Sequence, residues 1–396
     1  MTSMAHNVHL QYALMACSFR KAFVFIMGRG CRQRLVRIVC QMRAHSVIER
    51  QDLWPIRKIK LTLVPRFGKV EGESIYCSTR IFACPPPGLH VCGWFFANKK
   101  CHNFCVIMKE DFAMLYVDGK WVEADELAVH PEDRGYNFGD GIYEVVRIYK
   151  GKMYQWDAHL TRLFRSAREI KLDLPWTAAE LKDIAQQLIV KNNLTTDDDA
   201  ILYLQVTRGV APRLHDIPSG IRPVIMGFVR RKERPLADQK KGLTAQLVED
   251  IRWLRCDIKT LNLLGAVLVK QYAKEAGAQE SILHRNGIIT ECSASNLFAV
   301  KDNALYTHPA DNLVLHGITR QTVIDLAKAN GIPVHEEAFD IQFLKQADEL
   351  FLSSTTAEVM PIVAVDGQPV GSGQVGPMVQ KLQQLFEQHI YSEVLV

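Results

Sequence analysis

Three short segments of this chain hold residue types that can do chemistry. In Arg252-Trp253-Leu254-Arg255-Cys256-Asp257-Ile258-Lys259-Thr260-Leu261-Asn262, a lysine stands among apolar neighbours. An amine sheltered from water becomes a good nucleophile toward a carbonyl, although the same lysine also suits a solvated loop. Leu315-His316-Gly317-Ile318-Thr319-Arg320 runs into a helical pattern with Thr319 in the cap position. A helix start offers free N–H groups and a dipole suited to phosphate, and such a threonine can equally be only a cap. Asp133-Arg134-Gly135-Tyr136 and Phe138-Gly139-Asp140-Gly141-Ile142-Tyr143-Glu144 crowd three glycines and two aspartates ahead of a strand. That suits a tight loop, or one that another group approaches closely.

The elements that must position these segments follow from periodicity. Leu115–Val117 and Trp121–Val122 flank Asp118-Gly119 and predict a hairpin. Gly141–Tyr149 predicts a strand closed by a Lys150-Gly151 turn. Leu160, Leu163, Phe164, Ala167 and Ile170 share one face of a helix over Ala158–Leu172, with Asp157 as its N-cap, and a second helix covers Ala178–Lys191 behind Thr177. Strands are expected at Ala200–Arg208, Arg222–Arg230, Leu243–Asp250, Glu280–His284, Leu297–Val300 and Leu350–Ser353, and helices at Leu263–Ala276, Arg320–Asn330 and Gly376–Ile390. The polar stretch Arg231–Gly242, with Pro235, reads as a linker. The fold class is therefore α/β (α+β), with two lobes at 114–231 and 243–396, joined by 232–242, and a cleft between them.

Composition divides the chain near Met108. Residues 1–107 hold 16 Lys/Arg against 4 Asp/Glu, whereas the chain as a whole is +5, so the remainder is acidic. Eight of the ten cysteines also precede residue 108. Only Cys101 and Cys105 approach metal-knuckle spacing, and no second pair matches them, so no metal is expected. The segment has no clean secretory signal, and no apolar run reaches the roughly 20 residues of a membrane span. It reads as an extension outside the regular part of the chain, poorly ordered. Its basic stretch Arg29–Arg43 would also suit a nucleic-acid-binding protein, whose binding would depend on salt.

Taken together, the segments resemble the fold-type IV (class IV) aminotransferases that depend on pyridoxal 5'-phosphate (PLP), and among them the D-amino-acid (D-alanine) transaminases. The resemblance runs from about Leu115 to Ile390. It is carried by Glu132-Asp133-Arg134-Gly135-Tyr136, Gln205-Val206-Thr207-Arg208-Gly209, Val248 to Lys259, Asn262 to Leu268, Ile282-Leu283-His284-Arg285-Asn286 and Tyr306-Thr307-His308-Pro309-Ala310. It implies that Lys259 bears PLP and moves the substrate Cα proton, and that Glu291 faces the pyridine nitrogen. Arg162, Thr319, the Ile318 backbone and Thr355 would hold the phosphate, with Ser354 supporting them. Leu315 would pack on the ring and Tyr143 would line the site.

In Ala211-Pro212-Arg213-Leu214-His215, the resemblance assigns Arg213 and His215 to the substrate carboxylate, which sets D-handedness. It further implies a cytoplasmic homodimer acting on small D-amino acids and 2-oxo acids, with no nucleic acid or membrane as partner. D-alanine and 2-oxoglutarate would give pyruvate and D-glutamate, a supply of D-amino acids for peptidoglycan. A branched-chain L-amino-acid transaminase or an aminodeoxychorismate lyase would share the fold, but neither is expected to carry the 212–215 run. One departure stands out: Ala294 occupies a position near the cofactor where an enzyme of the resembled family carries serine, which bears on hydrogen bonding around the ring.

Overall fold

The computed structural model describes residues 114–123 and 129–394, and before them only the backbone of five strands. Met1–Asp111 and Phe112–Val396 form separate compact units. In the first, β1 (Val8–Tyr12) pairs with β2 (Arg57–Leu61), and β3 (Phe82–Ala83), β4 (His90–Ala97) and β5 (Lys100–Ile107) form an antiparallel sheet. The expectations of a poorly ordered extension without a metal knuckle, and the reading of a basic patch, otherwise fall on residues outside those described.

The second unit opens with β6 (Leu115–Val117) and β7 (Lys120–Val122). Their turn places Asp118 and Gly119 at φ 45° and 88°, the left-handed pair that a two-residue hairpin requires. Next come α1 (Arg134–Phe138), β8 (Gly141–Tyr149), β9 (Lys152–Met153), α2 (Trp156–Glu169), α3 (Ala178–Lys191), β10 (Ala200–Thr207) and β11 (Val224–Arg231). They build a six-stranded sheet in the order β7-β6-β11-β10-β8-β9. Strand β8 alternates: Ile142, Val146 and Ile148 enter a core with Leu160 and Leu163 of α2 and Leu181 and Leu188 of α3. Each such buried side chain contributes about 1.5–3 kcal/mol. The opposite face of β8 carries Tyr143, Val145, Arg147 and Tyr149, and Tyr149 joins a second core cluster with Phe298 and Phe351.

Helix α3 begins as expected, with Thr177 and Glu180 in a reciprocal capping box. Helix α2 does not. Its N-cap is Gln155, at φ 53°, and Asp157 lies within the first turn. The β8–β9 hairpin runs straight into the helix, with Tyr154 N donating to Arg147 O at 2.9 Å, so the tertiary path sets the start.

The stretch read as a linker carries α4 (Leu236–Lys241). Ahead of it, Arg234 is anchored by Glu358 (Nε 2.9 Å, Nη2 2.8 Å) and Glu387 (2.9 Å).

The rest of this unit contains β12 (Leu243–Glu249), α5 (Leu264–Glu275), β13 (Glu280–Arg285), β14 (Ile288–Cys292), β15 (Asn296–Lys301), β16 (Ala304–Thr307), α6 (Ile318–Ala329), β17 (Val334–Glu336), α7 (Ile341–Lys345), β18 (Glu349–Ser354), β19 (Glu358–Val365), β20 (Gln368–Pro369) and α8 (Pro377–Val394). Its strand order is β14-β13-β12-β19-β18-β15-β16-β17, with β20 on β19. Strand β12 runs parallel to both β13 and β19, while β15, β18 and β19 pair antiparallel. This mixed sheet is the α/β (α+β) architecture expected. Among the described residues, no helix is long and apolar enough to cross a membrane.

Candidate active site

Lys259 lies in the loop between β12 and α5, where two anchors fix its place. Upstream, the buried Asp250 carboxylate accepts from Arg252 (2.9 Å), Arg285 (3.1 Å) and Thr290 (3.1 Å). Downstream, the loop zips onto β8: Tyr143 N donates to Lys259 O (3.1 Å) and Leu261 N to Gly141 O (3.0 Å). Only glycine allows that approach, because a Cβ at 141 would lie 2.6 Å from Val206 O and 2.8 Å from Leu261 Cδ1. The result sets the half-buried Lys259 Nζ 4.3 Å above the centre of the Tyr143 ring. A cation over a ring face is attracted by the ring quadrupole.

Beside Tyr143, on the other face of β8, Glu144 organises a buried charge cluster. Its carboxylate accepts from Arg162 Nε (2.7 Å) and Nη2 (2.8 Å) and from His159 Nδ1 (2.8 Å). Burial alone would raise the Glu144 carboxyl, but the Arg162 charge and its paired hydrogen bonds outweigh it and hold the group far below the usual range. Burial lowers the His159 imidazole against the pull of Glu144. Arg162 reaches across the cleft with Nη1, donating to His316 O at 3.1 Å. Two of the five guanidinium donors remain available to a ligand. Glu144 has no role among the sequence expectations. The signal was there: a carboxylate in register with the core-facing residues of an apolar strand.

Glu291 lies within β14's buried run and is 3% exposed. Its carboxylate accepts from Arg252 Nη1 (2.6 Å), Asn296 Nδ2 (2.9 Å) and Leu315 N (3.2 Å). Burial nevertheless dominates and raises its pKa, despite the pull of Arg252. Asn296 Nδ2 also donates to Leu315 O (2.8 Å), fixing the segment that enters α6. Here the cap is Gly317, and Thr319 lies in the first turn, correcting the cap expected at Thr319. The reason is steric: a Cβ at 317 would lie 2.0 Å from Asn296 Oδ1, so the close backbone approach demands glycine. First-turn N–H groups such as those of Ile318 and Thr319 have no intrahelical acceptor. A cleft of about 610 Å³ is lined by Arg162, His316, Gly317 and Ile318 together.

Thr355 occupies the turn between β18 and β19, which Ser354 Oγ shapes by accepting from Ala357 N at 3.1 Å. Ala294 is exposed in the turn between β14 and β15.

Arg213 and His215 are exposed and collect elsewhere. The Arg213 guanidinium lies 5.0 Å from the Phe138 ring centre and the His215 ring 5.6 Å from it. Buried Arg134 holds this loop by donating to Leu214 O (2.7 Å) and Asp140 (2.8 Å). Among the described residues, no contact joins Arg213 or His215 to Lys259 or Tyr143.

The amino-transferase class IV family profile matches residues 141–365. The chain is 48% identical over 279 residues to a D-alanine aminotransferase of Staphylococcus haemolyticus, spanning 70% of this chain and 98% of that one. It is 46% identical over 276 residues to the D-alanine aminotransferase of Bacillus licheniformis, spanning 70% and 96%. This chain belongs to the class IV aminotransferases. Solved relatives include the branched-chain amino acid aminotransferase of Escherichia coli (30% identity, TM-score 0.67, covering 70% of this chain and 94% of that one). Another is that of Thermoproteus uzoniensis (26%, TM-score 0.66, covering 72% and 96%).

Class IV aminotransferases use PLP, and the residues present fit it. Glu291 is a buried carboxylate whose burial penalty its neighbours do not offset, so a protonated ring nitrogen is a partner that would complete it. The α6 start, with Gly317 letting its backbone close on Asn296, has the donor chemistry that a phosphate wants.

Proposed function

We propose that this class IV aminotransferase transfers the amino group of D-alanine to 2-oxoglutarate, giving pyruvate and D-glutamate in two half-reactions. The observation that carries the reading is the Lys259 amine held 4.3 Å over the Tyr143 ring. It is supported by identity to D-alanine aminotransferases over 96–98% of their length. Bound PLP supplies an electron sink that makes the substrate Cα–H acidic.

The chain's own residues do the rest. Lys259 carries the cofactor and moves the proton at the substrate Cα. Glu291 keeps the ring nitrogen protonated. Arg162, the Ile318 backbone, Thr319 and Thr355 hold the phosphate, with Ser354 shaping the turn. Leu315 packs on the ring and Tyr143 walls the substrate. Arg213 and His215 fix the α-carboxylate, and thereby the handedness.

The enzymatic part comprises lobes 114–231 and 243–396 joined by 232–242, with residues 1–107 outside it. Ile251, Leu254, Leu264 and Val267 are 50–72% exposed, an apolar face suited to covering by a second copy. A cytoplasmic homodimer supplying D-amino acids for peptidoglycan follows from this reading. The E. coli branched-chain enzyme shares the fold at lower identity, 30%. Initial rates with D-alanine or L-leucine as donor and 2-oxoglutarate as acceptor test the assignment. Pyruvate formed from D-alanine with no turnover of L-leucine is expected; the reverse preference would overturn it.

A further inference from the structure

Arg147 lies on the Tyr143 side of β8, four residues beyond Tyr143 and therefore roughly 13 Å along the strand from it. It is 1% exposed, yet Nε, Nη1 and Nη2 all have no hydrogen-bond partner. The guanidinium rests 5.3 Å from the Tyr149 ring centre, which is apolar company for a full charge. The carboxylate beyond that ring does not serve it. Glu358 is already taken by Tyr149 Oη (3.1 Å), by Arg234 (2.9 and 2.8 Å) and by Gln239 (3.1 Å). Glu358 also opens β19, directly after the 355–357 turn that holds Thr355. Arg147 thus stands on one strand face between the Lys259–Tyr143 pair and that turn, as a buried cation without an anion. An unpaired buried charge is costly, and a planar guanidinium with all its donors unused matches a carboxylate.

We propose that Arg147 receives the distal carboxylate of a dicarboxylic substrate, 2-oxoglutarate as acceptor and the D-glutamate formed from it. Resting on the transaminase reading above, this inference adds a second carboxylate site to that reading. Recognition at the reacting end belongs to other residues, so Arg147 sets the preference for dicarboxylic over monocarboxylic acceptors.

The test compares 2-oxoglutarate with 2-oxobutyrate, both with D-alanine as donor, in the wild-type holoenzyme and in Arg147→Met and Arg147→Lys. Loss of a charge-assisted hydrogen bond predicts a fall of about 10- to 100-fold in the kcat/KM ratio of 2-oxoglutarate over 2-oxobutyrate in Arg147→Met, carried by KM. Arg147→Lys, which keeps the charge, regains part of that ratio. Equal losses with both acceptors, or none, would overturn the proposal.

Calorimetric titration of the wild-type holoenzyme with glutarate and with butyrate gives a readout independent of turnover and of whether a variant folds. Tighter binding of glutarate than of butyrate supports the site, and equal binding of the two acids refutes it. A wild-type enzyme that turns over neither acceptor with D-alanine would sink the transaminase reading instead, leaving the titration to decide on Arg147.

Discussion

Glu144→Gln isolates the charge cluster beneath the site. The substitution keeps the side chain's size but removes the charge that Arg162 and His159 share, and its amide turns N–H groups toward a guanidinium. Glu144, Arg162 and His159 are 2%, 7% and 2% exposed, so solvent cannot take over the lost role. Breaking a buried ion pair by removing one partner costs about 3–5 kcal/mol. For a unit of this size, that lowers the midpoint of thermal unfolding by roughly 6–20 °C.

The effect has a pH signature. The Glu144 pKa is depressed on folding, so its stabilisation is fully present above the ordinary carboxylate range and is lost as pH falls through the folded value. The gap between wild type and variant should therefore be widest near neutrality and narrow below about pH 4.3. Circular-dichroism melts of both proteins at a series of pH values measure it. A variant melting within about 2 °C of wild type at neutral pH, or a gap unchanged in acid, would refute the reasoning.

Lys259→Ala should lower transamination by at least about 10²–10⁴-fold, the scale of a lost proton-transferring group, and added methylamine should restore part of the rate in stopped assays. Gly317→Ala drives a Cβ into Asn296 Oδ1 and should cost about 1–3 kcal/mol of stability along with weaker PLP retention, read by melting and by dialysis against buffer. Thr177→Ala breaks a surface capping box far from the cleft; a loss of about 1 kcal/mol with kcat/KM unchanged is expected from paired melts and rates.

Where local chemistry governs, the sequence was legible. Strand β8 begins at Gly141 and ends at Tyr149 because glycine and turn residues bound its β-branched run. Thr177 announces α3, and the fold adds Glu180 to complete its capping box. What escaped reading depends on distant partners. Arg234 is fixed by Glu358 and Glu387, more than a hundred residues on, so its segment looked like a plain linker. Gln155 and Gly317 took the cap positions expected of Asp157 and Thr319, since hairpin closure and the Asn296 side chain set the path of the chain there. Lys259 was named from its resemblance to a family; its place over Tyr143 came only with the fold.

The most direct measurement mixes the PLP-loaded protein with D-alanine or with L-alanine, without any oxo acid, and follows the cofactor's near-visible absorbance through a single turnover. The account predicts that D-alanine alone discharges the lysine-linked band and releases one equivalent of pyruvate. Discharge by L-alanine instead, or no lysine-linked band at all, would contradict it.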